Sequence, residues 1–227
     1  RLGAPMEVGH FLRLAVSITA ALDQLHLRGL IHKDIKPAHI LVNDAPVEAR
    51  LTGFGITSRQ SRKRQALTPP EEIAGTLAYM APEQTGRMNR PIDARSDLYS
   101  LGVTLYQMLT GVLPFATDDP MDLLHSHLAR QPVPPAERVP SIPPLLCAIV
   151  MKLLSKTAEE RYQTAAGLEA DLRRSLAAWE CQGSVDAFPL GEHDVPGRPL
   201  ISERLYDGFN IIFAHPKFIF QCIVKRC

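Results

Sequence analysis

At 227 residues with 45% hydrophobic side chains, the chain is long enough to bury a core of its own and carry an appendage, and its length argues against two full domains. Lys and Arg number 25 against 24 Asp and Glu, so bulk charge gives no reason to expect nucleic acid or an anionic membrane as partner. The cysteines Cys147, Cys181, Cys222 and Cys227 lack Cys-x-x-Cys spacing, which points to a reducing compartment and a cytoplasmic location; no apolar run reaches the roughly 20 residues of a membrane-spanning helix.

The chain opens on Arg1 rather than Met, from which a natural N-terminus further upstream is expected. From Val8 to Arg28 the apolar residues Phe11, Ala15, Ile18, Leu22 and Leu25 recur at helical spacing, and Gly29 reads as the stop. The runs "HILVN" and "VEARLT", joined by "DAP", predict a small hairpin. Between Gly53 and about Ile73 the chain turns polar, basic and aperiodic, the signature of a long loop. The stretch "SDLYSLGVTLYQMLTG" is apolar nearly all round, as a helix buried on every side must be. Asp119 and Pro120 predict a cap and first turn ahead of "MDLLHSHLAR". The proline-dense "QPVPPAERVPSIPP" reads as a connector to two further helices, "LLCAIVMKLLSK" and "TAAGLEADLRRSLAAWE", the second with Leu168, Leu172, Leu176 and Trp179 near one face.

These elements divide the chain into a domain over 1–180, a linker over 181–206 and an atypical tail over 207–227. The tail holds four of the eight Phe and two of the four Cys. Two readings stand, a strand-prone tail packed on the body or a segment foreign to the domain such as a changed reading frame, and composition favours the second.

The stretch "IHKDIKPAHILVN" has the form of the protein-kinase catalytic loop H-R-D-L-x-x-x-N. Its companions follow in order: "GFG" at 53–55, "GTLAYMAPE" at 75–83, "SDLYSLG" at 96–102 and "ERY" around Arg161. The chain therefore resembles the Ser/Thr protein-kinase family over about residues 1–180. The resemblance implies a mainly α fold with a small β-hairpin, the kinase C-terminal lobe with the N-lobe absent. The wording of "LTGFGI", "GTLAYMAPEQTGRMNR" and "FPLGEHD" is similar to bacterial multidomain signalling proteins in which such a domain precedes an ATPase module and a sensor histidine kinase.

The family's function is ATP-dependent phosphoryl transfer to Ser or Thr, with ATP and Mg as cofactors. The resemblance makes Asp34 the residue that orients the substrate hydroxyl, Lys36 the lysine that steadies the phosphate and Thr76 the bridge between them. The two Mg ligands of the family, the Asp of D-F-G and the Asn that closes the catalytic loop, are here Gly53 and His39. Glycine has no side-chain oxygen and imidazole suits Zn, Cu or Ni better than Mg. These are degenerate metal positions, and no metal site is expected. Asp44 and Glu48 lie between the two motifs as substitute acids under a slipped alignment, but Phe54 and Gly55 hold the register. Before His32 there is no G-x-G-x-x-G, and the first lysine is Lys33, so this chain alone cannot contain the strand-lysine ion pair and is expected to be inactive.

Other positions read as scaffold. The resemblance implies that Asp97 accepts backbone N–H bonds from the catalytic loop, that Glu83 and Arg161 form a buried ion pair, and that His32 and Phe54 pack. The basic loop at Arg59, Arg62, Lys63 and Arg64 allows regulation, with a phosphorylated Thr68 or Ser61 pairing with Lys33, beside the plainer reading of a solvated loop. His125 and His127, two apart on one helix, point in different directions and share no metal. The expected partners are a protein substrate or downstream signalling domains of the same parent chain, with no nucleic acid and no membrane. Against catalysis stands a pseudokinase, a signalling module that works by contact alone.

Overall fold

Glu7 starts the first helix by accepting hydrogen bonds from the backbone N–H groups of Gly9 and His10 at 2.7 and 2.8 Å. In the computed structural model, which describes residues 3–45, 47–59, 76–88 and 90–195, this helix is α1 (Val8–His26). Its stripe Phe11, Ala15, Ile18 and Leu22 is buried as the period predicts, and Gly29 turns the chain at φ 67°. Next come β1 (Leu30–Ile31) and a 3-10 turn at Pro37–His39. The predicted hairpin is β2 (Ile40–Asp44) against β3 (Val47–Leu51), antiparallel, with Ile40 opposite Leu51 and Asp44 opposite Val47.

The predicted loop after Gly53 is not featureless where it is described. Phe54–Ile56 form a 3-10 turn, and β4 (Ser58–Arg59) pairs antiparallel with β1. Residues 60–75, including Ser61, Arg62, Lys63, Arg64 and Thr68, lie outside the described residues, as does the whole 207–227 tail.

The central post of the core is α2 (Ala94–Thr110), capped by Asp93 and stopped by Gly111 at φ 77°. Leu98, Tyr99, Leu101, Val103, Leu105 and Tyr106 are all fully buried. The polar residues on so buried a helix satisfy themselves: Ser100, Thr104 and Thr110 each donate a hydroxyl to the carbonyl four residues back. Around the post stand α3 (Pro120–Ala129), capped by Asp119 as predicted, α4 (Pro135–Arg138), α5 (Pro144–Leu153) and α6 (Ala165–Gln182). The proline connector is thus interrupted by one helical turn, α4, because Pro135 at a first-turn position already has helical φ. Gly102 allows α5 to close on α2; a Cβ there would stand 2.7 Å from that of Leu153.

The sequence places a linker from 181 onward, but the chain past α6 does not leave the body. It runs back along α6 as a strap. Val185, Phe188 and Leu190 pack on the core, and the Arg174 guanidinium lies 4.2 Å over the Phe188 ring. The Gly191 N–H donates to the buried Asp171 carboxylate at 2.8 Å. Asp194 then accepts from the N–H groups of Gln163 and Thr164 at 2.6 and 2.9 Å, supplying partners to backbone donors at the start of α6. Among the described residues no helix is long and apolar enough to cross a membrane.

Candidate active site

The buried N-terminus of α2 fixes the catalytic loop. Asp97, fully buried, accepts from the backbone N–H of His32 at 2.8 Å and of Lys33 at 2.7 Å, and from His26 Nε2 at 2.9 Å. These bonds hold Lys33 at φ 71°, where a side chain is strained, and Gln84 Nε2 donates to its carbonyl from the other side at 2.8 Å. The His32 tautomer follows from its partners. Nε2 must donate to the Thr52 carbonyl at 2.8 Å, and Nδ1 accepts from the Asp34 N–H at 3.3 Å. Burial holds the His32 pKa below its ordinary value, so the ring is neutral and packs 5.1 Å from Phe54.

The loop so fixed presents Asp34. Lys36 Nζ donates to its Oδ2 at 2.8 Å and also to Thr76 Oγ1, while the Thr76 N–H donates to Asp34 Oδ1 at 3.1 Å. The three residues expected to act together therefore do meet. Burial raises the Asp34 pKa, but the hydrogen bonds from Lys36 and the Thr76 N–H and the Lys36 charge outweigh it, and the net direction is down. Asp34 is thus an ionised carboxylate at neutral pH, suited to orient a hydroxyl. Beside it lies a shallow cleft lined by Lys33, Asp34, Ile35, Thr76, Tyr79, Met80 and Gln84.

His39 also reaches Asp34, and Gly53 lies under its ring. His39 Nδ1 donates to the Asp34 carbonyl oxygen at 2.8 Å and lies 3.3 Å from Oδ2. Its ring covers Gly53, where a Cβ would be 2.4 Å from ring Cγ and Nδ1.

Glu83 and Arg161 form the expected buried pair. Arg161 donates to the two Glu83 carboxylate oxygens at 2.8 and 3.0 Å, and the side chains are 4% and 0% exposed. This constellation coincides with what comparison with known proteins finds. Residues 5–172 match the protein kinase domain family. The chain belongs to the Ser/Thr protein-kinase family. It is 40% identical over 166 residues to the serine/threonine-protein kinase PknB of Mycolicibacterium smegmatis, an alignment covering 71% of this chain and 26% of that protein. The Mycobacterium tuberculosis PknB is 38% identical over 170 residues, or 75% and 27% of the two chains. A hybrid signal transduction histidine kinase G of Dictyostelium discoideum is 28% identical over 290 residues, 89% of this chain and 8% of that protein. The chain thus spans about a quarter of the length of the PknB relatives it matches.

Within the kinase lobe, the positions at which the family binds Mg do not fit that ion. Mg demands oxygen donors in near-octahedral array. Gly53 offers none, the His39 ring lies across its Cα, and His39 Nδ1 is already committed to the Asp34 carbonyl. Nor does Glu48 stand in as a ligand there. The hairpin register puts Glu48 opposite Asn43, three residues along the strand from Leu51, and its half-exposed carboxylate pairs with Arg50 at 3.6 Å. Among the described residues, no group of three or more His, Cys, Asp or Glu could hold a metal.

Phe54 is half exposed and packs its ring against that of His32. Lys33 is half-buried beside the Asp34 cleft, and burial, opposed by Asp97, pushes its ammonium pKa down. His125 and His127 do point apart, one exposed and one buried.

The sequence missed three contributors. His26 joins Asp97 from α1, and Gln84 ties the 3-10 turn at Pro82–Thr85 to Lys33; neither lies in a motif with a mechanical reason attached. His127 forms a buried cluster with Tyr99, Phe115 and Lys156, its Nδ1 3.0 Å from the Tyr99 hydroxyl. The pairing of Tyr99 with His127 joins two helices, which no local pattern reveals.

Proposed function

We propose that this chain is the substrate-facing lobe of a Ser/Thr kinase-like signalling domain in which phosphoryl transfer is impaired at the metal-binding step. In the family the reaction moves a phosphoryl group from ATP to a hydroxyl: the hydroxyl oxygen bonds to the γ-phosphorus, the bond to the ADP oxygen breaks, and the hydroxyl proton leaves. On this reading Asp34 orients that hydroxyl and takes its proton, and Lys36 faces the phosphate; the hydrogen bonds that join Asp34, Lys36 and Thr76 support it. The observation that carries the impairment is the imidazole of His39 lying on Gly53 where the family needs two oxygen donors. Protein Ser or Thr residues are the substrate class on this reading, and Lys33 with Thr68 a regulatory pair.

A second reading is favoured by the same observation, a pseudokinase that relays signals to other domains of its parent chain by contact. The likeness of nearly the whole chain to a segment of a hybrid histidine kinase supports such a multidomain setting. Isothermal titration of the purified chain with ATP, with and without Mg, tests both, together with radiolabelled transfer to a Ser/Thr peptide. The expected result is no Mg-dependent binding and no incorporation. Incorporation abolished by Asp34→Ala would overturn the impairment; nucleotide binding indifferent to Mg, without transfer, would select the pseudokinase.

A further inference from the structure

We infer that His39 is a positioning residue for Asp34, and that position 53 is glycine because the His39 ring lies across its Cα, so that the two form one steric unit. The inference builds on the reading above by saying what takes the place of the lost metal ligands. Three observations carry it. First, the backbone at Gly53 is not the obstacle to a side chain of the family type: its φ of 80° lies in the left-handed region that Asp and Asn enter more readily than other residues. The obstacle is the ring, since a Cβ there would come within 2.4 Å of Cγ and Nδ1 and 2.5 Å of Cδ2, about 1 Å inside van der Waals contact.

Second, His39 cannot retreat by moving its main chain. Its N–H donates to the Lys36 carbonyl and its own carbonyl accepts from the Thr52 N–H, both at 2.9 Å, with Thr52 Oγ1 on the same carbonyl at 3.2 Å. Only side-chain rotation would clear position 53. Third, rotation would break the 2.8 Å bond from Nδ1 to the Asp34 carbonyl and remove the ring nitrogen 3.3 Å from Oδ2. A carbonyl oxygen only accepts, so Nδ1 carries the proton in this arrangement. Any side chain at 53 therefore disturbs Asp34 through His39. A single substitution restoring Asp at 53 does not rebuild a metal site; it needs His39 shortened at the same time.

The test uses the full chain with Gly53→Ala, His39→Ala and the double variant, followed by thermal unfolding and by ¹⁵N NMR of the imidazoles. The wild-type His39 is expected as the Nδ1–H tautomer, a signature that Gly53→Ala loses. The fall in Tm caused by Gly53→Ala should be at least halved in the His39→Ala background, leaving only the left-handed strain. Should Gly53→Ala not fold, Gly53→Asp is made with and without His39→Asn, and folding only in the double variant supports the interlock. An Nε2–H tautomer in the wild type, or equal Tm losses in both backgrounds, overturns it. Neither readout depends on ATP or Mg, so the nucleotide titration decides the functional reading separately.

Discussion

Glu83→Ala is the perturbation whose cost can be worked most fully from the structure. The Arg161 guanidinium has five N–H donors, and each has an acceptor. Nε donates to the Ser155 carbonyl at 2.8 Å, Nη1 to Glu83 at 2.8 Å and the Arg95 carbonyl at 3.1 Å, and Nη2 to Glu83 and the Lys156 carbonyl, both at 3.0 Å. The guanidinium also lies 4.9 Å from the Tyr99 ring centre. Glu83→Ala removes two charged hydrogen bonds, leaves two N–H groups unmet in a buried site, and strands the positive charge on carbonyl dipoles alone. It also takes the acceptor of the Ser96 hydroxyl, now at 2.7 Å. Breaking one partner of a buried pair costs about 3–5 kcal/mol, which for a chain of this size lowers Tm by roughly 6–20 °C. Thermal unfolding of the full chain by far-UV circular dichroism measures it. Replacing both partners, Glu83→Leu with Arg161→Met, should recover more than half the loss, because no unpaired charge remains. A single-variant Tm within about 2 °C of wild type would refute the account.

His127 makes stability fall in acid. Burial, then the Lys156 charge, pushes its pKa down to about 4 from 6.5. Between those values the unfolded chain binds a proton that the folded chain refuses, so the contribution is whole above pH 6.5 and is lost as pH falls through 4, by about 2 kcal/mol at pH 5. Urea midpoints at pH 7 and pH 5 for wild type and His127→Gln should show the slope flattened in the variant. Asp97→Ala orphans the N–H groups of His32 and Lys33, at about 1–3 kcal/mol each. Hydrogen exchange at residues 32–34 should accelerate well before global unfolding does. Asp194→Ala removes the acceptor for Gln163 and Thr164 at the start of α6, and about 1 kcal/mol of stability is expected to go with it. Ending the chain after Gln182 should cost more, because Phe188 and Leu190 leave the core, and a Tm unchanged by that truncation would deny the strap any structural part.

Much of the helical scaffold was legible because its signals are local. The stripe of α1 with its stop at Gly29, the all-round apolar α2 and the cap at Asp119 depend on residues a turn apart, and the chain obeys them. Helix α4 was missed because prolines read as breakers, although Pro135 falls at a position where its ring fits a helix. The strap was missed for a different reason. "FPLGEHD" has linker composition, and its docking depends on Asp171 and the N-terminus of α6, which only folding brings alongside.

By itself the sequence determined the family and the course of most helices, and it singled out Asp34, Lys36 and Thr76 as a candidate group, because motif order and periodicity are properties of the linear chain. It also showed that positions 39 and 53 lack oxygen donors. That the missing carboxylate at 53 is matched by a ring lying in its place was decided only in three dimensions. The 3-10 turn carrying His39 and the left-handed turn at Gly53 meet because β2 and β3 pair with Ile40 opposite Leu51, and that pairing brings two residues fourteen apart in sequence into contact.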